Sequence, residues 1–140
     1  MKIRIFYDQV KFRLKGSKQV LNIIEKVIRT EKMYPDDLIF IITVDKEIRR
    51  INNEFLNHDY YTDVIAFDYN EGNILRGEVY ISLETVKRNS IRYEVSLREE
   101  LLRVMIHGTL HLCGYNDEND CEREIMFQKG ESWILKLRDR

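Results

Sequence analysis

Two histidines and an aspartate stand in the run His107-Gly-Thr-Leu-His-Leu-Cys-Gly-Tyr-Asn-Asp117. Residues four apart on a helix share a face, so His107 and His111 can aim at one point. Gly114 can adopt the left-handed conformation that ends a helix, folding the chain back so that Asp117 arrives on a turn. Two imidazoles and one carboxylate with an open fourth position make the ligand set of a catalytic zinc site. A His-x-x-x-His pair alone is often a core or surface feature; the glycine and the placed carboxylate turn it into a metal site. Zinc bound there acidifies water towards neutrality and polarises a carbonyl or phosphoryl oxygen.

The spacing His-x-x-x-His-x-x-Gly-x-x-Asp follows the extended zinc-protease pattern with Asp in place of the third His. Those proteases carry a Glu directly after the first His as general base, and Gly108 stands there instead. A glycine inside a helix costs about 1 kcal/mol relative to alanine, which predicts close approach of another backbone or a substrate at Gly108. Glu100, two turns before His107 on the same face, is a candidate for catalysis or for supporting a ligand, against the simpler reading of a charge paired with Arg103 or Arg98.

These residues need a helix that is held firmly. Ser96-Leu-Arg-Glu99 reads as a capping box, and from Leu101 to Cys113 the chain is apolar nearly all round, as in a central buried helix. Upstream, Lys2–Tyr7 alternates as a half-buried strand, and Val20, Leu21, Ile24, Val27 and Ile28 recur at helical spacing within 17–31. Pro35 breaks the chain before Leu38–Val44, a continuous apolar run that suits an inner strand. A strand, helix and strand in that order predict parallel pairing. Asp45 is placed to cap a helix with Ile48, Ile51 and Phe55 inward. Strands at 63–68 and 77–82 flank the Asn70-Glu-Gly-Asn turn as an antiparallel pair. Ser82 caps a helix through about Tyr93. A last helix, 119–137, brings Ile125, Met126, Trp133, Ile134 and Leu137 to the core.

The chain has 140 residues, 44% hydrophobic and 34% charged, with a net charge of -1, as in a soluble globular domain without whole-molecule attraction to nucleic acid. A local surplus of Lys and Arg at positions 2, 4, 11, 13, 15 and 18 could meet phosphate, although a solvated face is the default. Cys113 and Cys121 form no disulfide framework; they read as reduced thiols, the first a small core residue and the second incidental. No signal peptide or membrane-length apolar run is present, and the expected compartment is the cytoplasm.

The histidine run resembles the His-Gly-x-Leu-His-Leu-x-Gly-Tyr-Asp-His signature of the YbeY family of rRNA maturation factors. Thr62-Asp-Val-Ile-Ala-Phe67 resembles that family's Thr-Asp-Val-Leu-Ser-Phe strand, and Gly77-Glu-Val-Tyr-Ile-Ser82 its Gly-Asp-Ile-x-Ile-Ser strand. The resemblance implies a metal-dependent, single-strand-specific endoribonuclease working on the 3′ end of small-subunit rRNA and in ribosome quality control, with single-stranded rRNA and the small ribosomal subunit as partners. It implies one zinc ion per chain held by His107, His111 and Asp117. The family's third ligand is usually His, so Asp117 adds negative charge to the site. The family also has an Arg a few residues before the Thr-Asp-Val strand, and Leu56 stands at that position; His58 and Arg50 are candidates to replace it, and His58 is, with Glu100, a candidate catalytic residue. Tyr60 and Tyr61 could stack on bases or shape the loop.

The implied fold is α+β in one domain over 1–140: a mixed four-stranded sheet, helices packed mainly on one face, and the metal site at the end of a central helix. Two other functions compete with the nuclease. A metallohydrolase of another substrate class is disfavoured by Gly108, and a non-catalytic ribosome-assembly or RNA-binding factor with a structural metal is kept open by Leu56 and the modest charge.

Overall fold

The computed structural model describes residues 2–56 and 64–138. Nine elements follow in the order β1 (Ile3–Tyr7), α1 (Ser17–Thr30), β2 (Tyr34–Thr43), α2 (Asp45–Leu56), β3 (Val64–Asp68), β4 (Ile74–Ser82), α3 (Leu83–Arg92), α4 (Leu97–Leu112) and α5 (Asp120–Arg138). The strands form one mixed sheet in the order β1-β2-β4-β3. β1 runs parallel to β2 and β3 pairs antiparallel with β4, as the strand–helix–strand and hairpin readings predict; β4 also runs parallel to β2, which joins the two pairs into one sheet.

Side-chain alternation divides the sheet. Ile3, Leu38, Phe40, Ile42, Leu75, Val79 and Ile81 point into the main core, beneath α1 and α4. On the opposite face Ile65, Phe67 and Tyr80 meet Ile48 and Ile51 of α2 in a smaller cluster. α4 is the central helix: it packs against α1, α3, α5, β3 and β4. Leu101, Leu102, Met105 and Ile106 are completely inaccessible to solvent. That burial is why the helix carries apolar residues nearly all round. Among the described residues, no helix is long and apolar enough to cross a membrane.

Several local expectations change. Pro35 does not break the chain: β2 starts at Tyr34, pairs Tyr34 with Ile74 and Pro35 with Leu75, and then shifts register before resuming at Leu38↔Gly77. The bulge absorbs Asp36 and Asp37, the latter at φ 62°, so the proline sits where pairing is about to be interrupted anyway. The matching strand β4 accordingly begins at Ile74 instead of residue 77. Phe55 is 61% exposed and meets the edge of Phe67, and Ile125 is 52% exposed, so neither belongs to the core.

Asp45 opens α2, but its carboxylate turns to the start of α3, accepting from Ser82 Oγ, from Thr85 Oγ1 at 2.7 Å and from Arg88 at 2.9 Å. Burial pushes its pKa up, and these donors outweigh it, leaving the carboxyl below its ordinary value. The capping box at α4 is half made. Ser96 Oγ accepts from the Glu99 amide at 3.0 Å, while the Glu99 carboxylate goes to the guanidiniums of Arg138 and Arg103. Two charged donors outcompete one neutral amide.

Candidate metal centre

The end of α4 is built as a Schellman motif. Gly114 takes φ 105°, its amide donates to His111 O, and the Tyr115 amide donates to Leu110 O, both at 3.0 Å. The reversal carries the chain back over the last turn of its own helix. The Tyr115 carbonyl then lies 3.1 Å from His111 Nδ1. With that nitrogen protonated and donating to the carbonyl, Nε2 keeps its lone pair free for a cation.

Asp117 arrives two residues later. Its Oδ2 lies 3.4 Å from His111 Nε2 and 3.6 Å from His107 Nε2, and the three donor atoms all fall within 4.8 Å of one another. Donors about 2.1 Å from a common centre at tetrahedral angles stand about 3.4 Å apart. The cluster therefore fits one zinc-sized cation, and it is the only such group among the described residues. All three side chains are partly exposed, so the site is open on one side.

Three ties hold the ligand loop. Arg123 donates to the Asp117 carbonyl at 3.0 Å. The Asn70 amide, in the β3–β4 turn, donates to Leu112 O at 2.7 Å, satisfying one of the helix-end carbonyls. The Tyr115 hydroxyl donates to Glu31 Oε1 and accepts from Lys129 Nζ, each at 2.7 Å, with Lys129 also 2.9 Å from Glu31 Oε2. Those two partners hold the Lys129 ammonium well above its usual range. The loop is thus moored to the residue just past α1 and to α5.

Gly108 is explained by the sheet. A Cβ there would stand 2.6 Å from Val79 Cγ1 and 3.3 Å from Val64 Cγ2. Side chains of β4 and β3 make the close approach, where the sequence had pointed to another backbone or a substrate. Gly77 plays the reciprocal part, since a Cβ there would meet Phe67 O at 2.7 Å and Leu112 Cδ1 at 2.9 Å. Together the two glycines let the histidine-bearing half of α4 lie close on the sheet.

Glu100 is 3% exposed and accepts from Arg103 at 2.8 Å. Arg103 also donates to Glu131 at 2.7 and 3.0 Å and to Glu99 at 3.3 Å, joining α4 to α5. Arg50 lies between Glu47 and Glu54 of its own helix. Cys113 is partly buried, which pushes its thiol up to about 12, and Cys121 is exposed. His58, Tyr60, Tyr61 and Thr62 lie outside the described residues. Sequence reasoning missed the Glu31–Tyr115–Lys129 tie. Tyr115 was visible within the motif, but its partners are 84 and 14 residues away, and no local pattern joins them.

Comparisons with known proteins place the chain in a family. The family described as Endoribonuclease YbeY matches residues 5–138. The Endoribonuclease YbeY of Christiangramia forsetii is 43% identical over 129 residues, covering 92% of this chain and 90% of that one. That of Bacteroides fragilis is 47% identical over 115 residues, 82% of each. The solution structure of TM1509 from Thermotoga maritima superposes with a TM-score of 0.64 at 30% identity, covering 94% of this chain and 86% of that one. The α4 motif, the mixed sheet beneath it and these matches agree: the chain belongs to the endoribonuclease YbeY family.

Proposed function

We propose that the protein is a zinc-dependent endoribonuclease, a single domain over 1–140 that cleaves single-stranded rRNA. Its role is maturation of the small-subunit 3′ end and ribosome quality control, and its place of work is the cytoplasm. The observation that carries the reading is the His107–His111–Asp117 triangle, with 3.4 and 3.6 Å between the carboxylate and the two imidazole nitrogens. It stands in a chain whose relatives are named endoribonucleases.

His107 and His111 would hold the ion through Nε2, and Asp117 through its carboxylate. When bound, zinc supplies Lewis acidity, making water easier to ionise and neutralising charge on a phosphate oxygen. Two neutral imidazoles and one carboxylate leave a net positive centre, which attracts a phosphodiester despite the overall charge of -1. The Tyr115 carbonyl fixes the His111 tautomer, and Arg123 fixes the backbone of Asp117.

The test is elemental analysis of wild type, His111→Ala and Asp117→Ala, with cleavage of single-stranded rRNA on the same samples. About one zinc per chain, lost with cleavage in both variants, is expected for a three-ligand site. Zinc retained by Asp117→Ala removes that residue from the ligand set. Zinc without cleavage in the wild type refutes the nuclease reading.

A further inference from the structure

A cavity of about 630 Å³ runs along α4 between α3 and α5, and His107 forms part of its wall. It therefore touches the metal centre at His107 and extends to Arg103, about one turn up the helix. Its volume lies within the range of sites that take a small organic group. Val104, Leu110 and Met126 make its floor apolar. Tyr93 and Phe127 stand at its rim, 58% and 59% exposed, two large rings that the core does not use.

Gly130 supplies an independent observation. It lies inside α5 with none of the positive φ that would demand glycine. Among the described residues, a Cβ built on it would meet only Ile106 Cγ2 within 4 Å, at an ordinary 3.8 Å. Neither backbone geometry nor packing asks for a residue that weakens a helix. What its missing side chain does is keep the cavity wall thin.

The charges at the far end choose between ligand classes. Arg103 lies among Glu99, Glu100 and Glu131, and with Arg138 added these described side chains set three carboxylates against two guanidiniums. A phosphate would be repelled, whereas a neutral, flat heterocycle with hydrogen-bond donors would not. We propose that the cavity is a nucleobase subsite, receiving one unstacked base of the RNA strand whose neighbouring phosphate lies at the metal centre. Tyr93 and Phe127 flank the base, as aromatic side chains do in single-strand recognition. The inference rests on the nuclease reading above.

The experiment measures binding of a single-stranded oligoribonucleotide, intact or with one abasic position moved along it, by fluorescence anisotropy. The proteins are wild type, Gly130→Ala, Gly130→Leu and Tyr93→Ala, with melting temperature and zinc content recorded for each. Gly130→Ala is expected to melt about 3 °C higher; a lower melting temperature would mean that the glycine is kept for packing and would count against the subsite. One abasic position should weaken binding to wild type about tenfold. Gly130→Leu should bind the intact oligomer about tenfold more weakly with zinc unchanged, and the abasic penalty should vanish in that variant. Tyr93→Ala, altered only at an exposed ring, should lose part of the same affinity and guards against misfolding of the leucine variant. If wild type binds the RNA but every abasic position is tolerated equally in all variants, the subsite is overturned and the nuclease stands. If wild type binds no single-stranded RNA, both fall.

Discussion

Replacing Gly108 by alanine sets two opposed effects against each other. A methyl group on a helical glycine gains about 1 kcal/mol of helix propensity. Here that methyl would sit 2.6 Å from Val79 Cγ1 and 3.3 Å from Val64 Cγ2, distances that force α4 away from the sheet. Overpacking of this kind costs about 1–3 kcal/mol. Val79 is completely buried and cannot swing clear, so the upper half of that range applies and the net effect is a loss of about 1–2 kcal/mol. The movement also shifts His107 and His111 against Asp117, whose loop is moored elsewhere, so zinc affinity falls with stability. Urea denaturation of wild type, Gly108→Ala, Val79→Ala and the double variant measures this. Val79→Ala removes the clashing Cγ1 atom, and the double variant should be more stable than the sum of the single losses by at least about 0.5 kcal/mol. A Gly108→Ala protein as stable as wild type, or additive energies in the double variant, would falsify the close-packing account.

Two further outcomes follow from particular ties. Tyr115→Phe keeps the ring but removes the hydroxyl shared by Glu31 and Lys129; zinc affinity, measured by competition with a chelator, should fall about tenfold while the circular dichroism stays unchanged. Affinity equal to wild type refutes the mooring. The Arg138 and Arg103 guanidiniums hold the Glu99 carboxyl below its ordinary value of 4.5. A depressed carboxylate contributes stability above its unfolded pKa and loses it as the pH falls. Arg138→Ala should therefore flatten the decline of melting temperature with acidification below pH 4.5, and parallel acid limbs for the two proteins would show that the pair does not contribute.

The histidine helix and its ligand turn were legible because they depend on local rules. The i, i+4 pair, the glycine at the reversal and the Ser96 cap are each decided within a few residues. The parallel β1–β2 pair and the antiparallel β3–β4 pair were legible from the sequence of elements, whereas the β2–β4 pairing that sets the strand order was not. What escaped depends on distant partners. Pro35 seemed a chain break because its pairing with Leu75 and the bulge after it involve a strand 40 residues on. Phe55 and Ile125 satisfied helical periodicity, yet both stay more than half exposed in the fold. The Glu99 carboxylate seemed committed to the Ser96 amide until Arg138, 39 residues away, arrived. Gly108 announced that something came close, but only the fold could say that it was Val79.

The mooring of Tyr115 has a consequence for timing. Two donors of the triangle sit on α4, whereas the position of the third depends on Arg123 and Lys129, both from α5. A nascent chain that has folded as far as α4 owns a pair of imidazoles but no fixed carboxylate to complete the set. Competence to hold the ion therefore coincides with docking of the last helix. On the zinc reading, metal loading would report that the fold has been finished, and a chain clipped before α5 would be left without an assembled centre.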